Sequence, residues 1–374
     1  MRLIEKLPQV FKPIISVLVG LSLGLLVTKI AGEDPWNVLG ILVRGAFGSR
    51  YDFGMTLFYT TPLIFTGLSV AFAFHSGLFN IGAEGQLAMG ALALAAAGIQ
   101  FPNVPAFLAP VFGILVAVLG GGIWGAIPGW LRARRGSHEV INTIMMNFIA
   151  AGLSSWVTLY LLRNPHSQNP ETDSVGAHYL IRQFSFFDGA PVSMAFFLAL
   201  FAVFVVWFIL WKTVLGFEIR AVGQSESAAR SAGIDAAKMR MIAMAISGGL
   251  AGMVGVGEIM GNAERFRVGF SPGYGFTGIA VALLARNRPF AIIASALLFG
   301  ALHKGASDLD LETENVTRDL ALILQALVIL CVSAEGVWEV LGDRLKILSK
   351  KKWFNPAVSV EVSEDQASGL KTKV

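Results

Sequence analysis

The sequence predicts an all-α fold, a polytopic bundle of about ten transmembrane helices with both termini in the cytoplasm. Three observations carry this. Hydrophobic residues make up 55% of the 374 residues and charged residues only 14%, against roughly a quarter charged in a typical soluble domain, and the mean hydropathy is +0.65. The apolar residues come in blocks, several of them about 18 to 25 residues long with hardly a charge, which is the length that crosses a hydrocarbon core of about 30 Å. Finally, the basic residues alternate between the connections, as the positive-inside rule requires of a membrane protein.

Taken in order, the chain begins with Arg2, Lys6 and Lys12 ahead of an apolar run over 14–27. That resembles a secretory signal, but no A-x-A site follows and the chain continues as Lys29-Ile30-Ala31-Gly32-Glu33-Asp34, so an uncleaved first span is expected. Further spans are expected near 55–75, 80–99, 104–130, 139–162, 190–211, 240–261, 273–285, 289–303 and 319–335, with the first at 13–31. With the N-terminus inside, the inner segments collect Arg2, Lys6 and Lys12; Arg132, Arg134 and Arg135; Lys212, Arg220, Arg230, Lys238 and Arg240; Arg286 and Arg288; and seven basic residues after position 343. That places 20 of the 29 Lys and Arg residues inside, which sets the orientation.

The stretch 273–303 is read as two short helices in a hairpin. One long helix would carry Arg286, Asn287 and Arg288 to mid-bilayer, at about 2.5–3.5 kcal/mol for each Arg, and Pro289 interrupts helical hydrogen bonding there. Outside, 163–189 is a long loop with Pro, Ser and Asp, a candidate lid or docking surface. Residues 1–352 form a single membrane domain, the largest cytoplasmic loop is 212–240, and 353–374 is a polar tail expected to be disordered.

Several chemistries find no support. The net charge of +4 lies between apolar blocks and reports orientation, not nucleic-acid binding. No G-x-x-x-x-G-K-[ST] occurs, so no phosphate-cradling loop is expected, and any ATP must be hydrolysed by a partner. There is no H-E-x-x-H, the five histidines are widely separated, and Cys331 is the single cysteine, so no metal site, cofactor or disulfide is expected. The one G-x-S-x-G, at Gly20-Leu21-Ser22-Leu23-Gly24, lies inside the first span, where small residues signify helix packing and not a nucleophile. Gly248, Gly252, Gly257 and Gly261 likewise read as close-packing positions.

Three segments stand out. In Gly77-Leu78-Phe79-Asn80-Ile81-Gly82-Ala83-Glu84-Gly85-Gln86, polar side chains and glycines sit where lipid demands an apolar helix. Such backbone is tolerated only when buried in protein or lining a water-filled cavity. Asn80, Glu84 and Gln86 are therefore candidate pathway or gating residues; the competing reading makes Asn80 a helix cap and Glu84 a partner of the positive helix end. In the fifth span, Glu139, Asn142, Thr143, Met146 and Asn147 fall within about 140° of one another at 100° per residue. That stripe suits a pathway at Asn142, Met146 and Asn147 or hydrogen bonds between helices. In the largest loop, Ser225 reads as the cap of a short helix with Glu226 in its first turn and Gly233 as its stop. Ala228 and Ala232 beside Arg230, with Ala229 between, make a small surface fit to dock into another protein; a solvated loop helix is the plainer alternative.

Together these segments resemble the permease subunits of bacterial ATP-binding-cassette importers, in the family serving branched-chain amino acids, simple sugars and nucleosides, and within it most closely the nucleoside permeases. The resemblance rests on 61–68 through Phe79-Asn80-Ile81-Gly82-Ala83-Glu84-Gly85-Gln86, on Glu139-Val140-Ile141 with Met146-Asn147, and on Gly216-Phe217 through Ala232-Gly233, and spans about 40–340. It implies a second homologous permease, ATP-binding subunits, and an extracytoplasmic substrate-binding lipoprotein. It also implies that 226–233 is the coupling helix, although Ser227 stands where the family pattern has Ala. An ion-coupled secondary transporter is the alternative; it would need ionisable groups within the membrane, and only Glu84, Glu139 and Glu258 are near spans. A polytopic enzyme is the third.

Overall fold

The structure, a computed structural model, describes residues 11–313, 315–317 and 319–333. The predicted tail 353–374 lies outside them. Among the described residues the architecture is all-helical, with isolated β-bridges only.

Helix α1 (Phe11–Ile30) follows the first apolar run. Two short helices were not expected from span-length patterning. One is α2 (Pro35–Phe47), which starts where the Asp34 carboxylate accepts from the Trp36 amide at 3.1 Å and Pro35 takes the first helical position, where its missing N–H costs nothing. Val38, Ile41 and Leu42 line its buried face against Leu302, Ala306 and Leu309. α3 (Arg50–Phe74), capped by Ser49, is buried along most of its length. Several of its hydroxyls are satisfied within the helix, Thr60 on the Thr56 carbonyl at 2.7 Å and Thr61 on Leu57 at 2.9 Å. Two reach neighbouring helices: Thr56 donates to the Ala46 carbonyl at 2.9 Å, and the Ser69 hydroxyl meets that of Ser247 at 3.0 Å.

Next come α4 (Ala83–Gln100), α5 (Ala109–Arg135), α6 (Glu139–Trp156, extended by a π-turn over Val157–Leu161) and α7 (Ala195–Lys212). The loop that follows holds α8 (Val214–Gln224), the second unexpected helix, and α9 (Glu226–Ser231). α10 (Ala236–Gly252) continues into a π-helical segment, Val256–Ala263. α11 (Tyr274–Leu284), α12 (Pro289–Ser307), the single turn α13 (Leu309–Glu312) and α14 (Leu320–Ser333) complete the order.

Among the described residues, six helices are long and apolar enough to cross a membrane: Arg50–Phe74, Ala109–Arg135, Glu139–Leu161, Ala195–Lys212, Ala236–Ala263 and Pro289–Glu312. Shorter apolar helices cover Ile15–Ile30, Tyr274–Leu284 and Leu322–Cys331. The expected break near 286 is present. α11 and α12 are separate, joined by a turn in which Arg286 and Asn287 adopt φ of 51° and 55°, and α11 rises only about 16 Å over its 11 residues.

Small residues make the principal helix contacts, as expected where lipid supplies no hydrophobic drive between helices. α1 lies on α14 at Gly20 and Gly24, against Val328 and Leu324, which accounts for the G-x-S-x-G as a packing face; the Ser22 hydroxyl bonds back to the Leu18 carbonyl at 2.8 Å. α5 and α10 meet along Ala117, Gly121 and Gly125 against Gly248 and Gly252. A Cβ added to Gly121 would stand 2.9 Å from the Gly252 Cα, and one on Gly248 2.9 Å from the Gly125 Cα. At one end of the bundle lie 101–108, the loop 163–189 and 264–273; at the other lie 75–82, α8, α9 and the turn at 285–288, where α8 meets the first through Gly223 against Gly77 and the turn meets it through the His75 ring on the Asn287 carbonyl at 3.0 Å.

A test of the α5–α10 seam follows. Overpacking costs about 1–3 kcal/mol where side chains can give way; Gly121→Leu meets backbone only, so it should lose at least that much in thermal unfolding of the detergent-purified protein. Gly152→Ala, whose Cβ meets nothing within 4 Å, should be neutral or gain about 0.5–1 kcal/mol.

Candidate functional site

Between α3 and α4 the chain leaves helical conformation at 75–82 while Ser76, Leu78, Asn80 and Gly82 remain buried. Each freed backbone group there needs a partner inside the protein, and the side chains singled out in the sequence supply them. Asn80, fully buried, donates through Nδ2 to the Gln86 Oε1 and to the Ser247 Oγ, both at 2.8 Å. Its Oδ1 accepts from the Gly82 amide at 2.9 Å and from the Gln86 Nε2 at 3.1 Å. Ser247 in turn donates to the Ser69 carbonyl at 2.7 Å, tying α10 to α3. Asn147 on α6 bridges the break from the other side, accepting from the Gly85 amide at 2.8 Å and donating to the Ile81 carbonyl at 2.9 Å.

Glu84 does cap a positive helix end, but that of another helix. Its Oε2 accepts from the Gly275 amide at 2.7 Å in the first turn of α11, while the Tyr274 amide bonds the Ser271 hydroxyl at 3.0 Å. The orphan N–H groups and partial positive charge of a buried helix start are met in this way. The structure therefore brings Asn80, Glu84, Gln86 and Asn147 into one polar knot. Asn142 and Met146 stand apart. The Asn142 amide donates to the Ser137 hydroxyl at 2.6 Å near the start of α6, and the Met146 carbonyl accepts from the Trp124 indole at 3.3 Å. Glu139 pairs with Arg132 at 3.4 Å.

At the same end as the break, α9 forms as its cap and stop signals suggest. Ser225 Oγ accepts from the Ala228 amide at 3.3 Å, and Gly233 ends the turn at φ 83°. Ala229 is buried; Ser227, Ala228, Arg230, Ser231 and Ala232 are exposed. Glu226 pairs with Arg230 at 2.6 Å and with Arg240 of α10 at 2.7 Å. The hydrogen bond from Arg240, with Arg230 beside it, holds the Glu226 carboxyl below the usual carboxylate range.

At the opposite end a cavity of about 320 Å³ opens above the start of α11. Phe58 and Tyr59 of α3, Glu258 and Asn262 of the π-helical segment, Phe270, Tyr274, and His303 of α12 line it, with Arg265 and Arg267 at its edge. The Tyr59 and His303 rings meet edge to face with centroids 4.5 Å apart. Arg265 and Arg267 bond the Glu171 carboxylate at 3.1 Å and 3.2 Å, and the Thr172 amide bonds the Phe266 carbonyl at 2.9 Å, so the loop 163–189 is fastened beside the cavity. A hydrogen bond from Ser167 and the charges of Arg265 and Arg267 hold the Glu171 carboxyl below its usual range. Sequence reasoning did not assemble this cavity, because its lining comes from three distant segments; Glu258, one of few ionisable groups near a span, was the available signal.

Two outcomes are expected from these contacts. Asn147→Ala leaves the Gly85 amide and Ile81 carbonyl without partners and should cost about 1–3 kcal/mol in thermal unfolding, whereas Asn142→Ala, which loses one bond to Ser137, should cost less than about 1 kcal/mol. The depressed Glu226 carboxyl contributes stability that is fully present above the ordinary Glu value of about 4.3 and is lost as pH falls through the lower folded value. Unfolding temperatures from this source should be flat between about pH 7 and 5, and Arg240→Ala should move the acid loss upward. A decline centred near pH 6 that Arg240→Ala abolishes would contradict the assignment.

Comparison with known proteins gives the same architecture a family. Residues 53–333 match the model of the branched-chain amino acid transport system / permease component family. The guanosine ABC transporter permease protein NupP of Bacillus subtilis is 36% identical over 348 residues, covering 92% of this chain and 99% of that protein. The glucose ABC transporter permease protein TsgB13 of Haloferax volcanii is 35% identical over 332 residues, 85% of each chain. The nucleoside ABC transporter permease protein NupB of Lactococcus lactis is 32% identical over 352 residues, 92% of this chain and 96% of its own. On the family match and these relatives, this multi-pass membrane protein belongs to the branched-chain amino acid transport system permease family.

Proposed function

We propose that the chain is one of two homologous permease subunits of an ATP-driven importer in the bacterial inner membrane, and that its solute is a nucleoside. In this reading residues 1–352 are a single domain crossing the membrane ten times with both termini inside, and 212–240 faces the cytoplasm. ATP is hydrolysed on a separate subunit, since the sequence has no phosphate-cradling loop of its own. An extracytoplasmic lipoprotein delivers solute to the face bearing 163–189.

The observation that carries the reading is the geometry of α9. A helix of one to two turns, capped at Ser225, offers the exposed Ala228, Arg230 and Ala232 to a partner while its buried side holds Ala229 against the bundle. Glu226 locks it to Arg240 of α10, the helix whose far extension carries Glu258 into the cavity. Movement imposed on α9 by a partner ATPase would thus be passed to the solute end by a continuous element, a population shift between inward-open and outward-open states driven from outside this chain. The polar knot at Asn80, Gln86 and Asn147 positions the helices around the pathway, and Asn142 and Met146 lie nearer the coupling end.

Two of the three relatives described are named for guanosine or nucleosides, which supports that solute class. A sugar is the second reading, on the relative named for glucose.

Proteoliposomes containing the permease pair, its ATPases and the receptor should take up nucleoside only with ATP. Replacing Glu226 and Arg230 together by Ala removes the pair that holds α9 to α10 and the charge that α9 presents to a partner, so uptake and stimulated ATPase should fall by about tenfold or more while membrane insertion is kept. Unchanged uptake in that variant removes the coupling assignment. Uptake that follows an ion gradient without ATP removes the importer reading.

A further inference from the structure

The cavity at the end of the α10 extension holds an unsatisfied buried group. Glu258 is 9% exposed, and among the described residues its Oε1 has no hydrogen-bond partner, while the Tyr274 hydroxyl and the Asn262 amide lie within hydrogen-bonding reach of the same carboxylate. Buried polar atoms are satisfied in nearly all native structures; Oε1 itself has almost no accessible surface, so a turn of the carboxylate toward the cavity is what brings it to a donor there and removes the cost.

Three further features narrow what that donor belongs to. At about 320 Å³ the space falls in the range of about 300–1,000 Å³ typical of small-molecule sites. Five of its twelve lining residues carry aromatic rings, Phe58, Tyr59, Phe270, Tyr274 and His303, with the Tyr59–His303 pair at 4.5 Å, and such rings offer a flat π-face a surface to stack on. The π-helical turn Val256–Ala263 that holds Glu258 is a local departure from α-geometry of the kind found at binding sites. Glu171 engages both arginines at the edge and offsets one of their two positive charges.

We propose that this cavity is a base-recognition site within the permease: Glu258 Oε1 accepts a hydrogen bond from an N–H edge of a flat nitrogen heterocycle, the base of an uncharged nucleoside, held beside Tyr59 and His303. The inference rests on the nucleoside reading of the solute and adds that part of the selectivity resides in this chain.

The test uses the assembled permease–ATPase complex in lipid nanodiscs without receptor, with radiolabelled guanosine, whose base presents N–H donors, and purine riboside, whose base has neither an amino group nor a ring N–H. Wild type should bind guanosine saturably and about tenfold more tightly than purine riboside, the size of one charge-assisted hydrogen bond. Glu258→Met should bring guanosine down to the level of purine riboside and leave purine riboside unchanged. Should that variant fail to assemble, Asn262→Ala, an exposed position on the cavity wall, should weaken guanosine by about threefold and purine riboside less. Equal binding of both ligands by wild type, equal losses of both in the variants, or no saturable guanosine binding each overturn the site. The solute reading is decided separately by ATP-dependent uptake with receptor present: guanosine taken up with the binding arms negative overturns the base site alone, and glucose taken up in place of any nucleoside overturns both.

Discussion

Everything in this bundle depends on the requirement that a peptide group away from water be hydrogen-bonded within the protein. The chain breaks helix at 75–82 inside a buried environment and meets that requirement with side chains from elsewhere in the sequence. Asn80 closes the break upon itself through Gly82 and Gln86, Asn147 closes it from α6, and Ser247 anchors it to α10. Glu84 extends the arrangement to a second irregularity by capping α11 at Gly275. Because α11 can begin at depth, it is short, and the space above its first turn becomes the cavity bounded by Tyr59, Glu258, Tyr274 and His303. One set of hydrogen bonds therefore determines where two helices start and where the bundle is hollow.

The second organising element is α10 with its π-helical extension. Arg240 stands at one end and Glu258 at the other, 18 residues apart, or about 27 Å of helix. Arg240 is held by Glu226 on α9, whereas Glu258 lies among the aromatic rings of the cavity. Between them Ser247 touches the polar knot, and Gly248 and Gly252 touch α5. A rod held at its two ends and with its bearings in the middle is mechanically suited to carry displacement from the α9 loop to the cavity.

Much of this was legible beforehand, for identifiable reasons. Apolar length and the arginines at 286 and 288 announced the helices and the break between α11 and α12, because the cost of burying a guanidinium in lipid exceeds what any packing preference could override. Ser225, Glu226 and Gly233 announced α9 because caps and stops act locally. The partners of Asn80 and Glu84 were not legible: Ser247 lies 167 positions from Asn80 and Gly275 lies 191 from Glu84, and no local rule links such positions. The cavity escaped for the same reason. α2 escaped for another: its three-residue apolar stripe at 38, 41 and 42 is short beside a span, although Asp34-Pro35 marks its start.

Interdigitated side chains normally fix how far one helix is shifted along another, because ridges seated in grooves resist translation. The face between α5 and α10 has almost none to interdigitate; at Gly121, Gly125, Gly248 and Gly252 it is backbone against backbone. Such a smooth bearing gives proximity without an axial lock. The longitudinal alignment of α10 is then set away from this seam, by directional bonds between Ser247 and Asn80 and Ser69 and between Arg240 and Glu226, and by the buried Met239, Met244 and Leu250. The polar bonds can be exchanged one at a time, so the barrier to a sliding step along this face comes from those core side chains and not from the face itself.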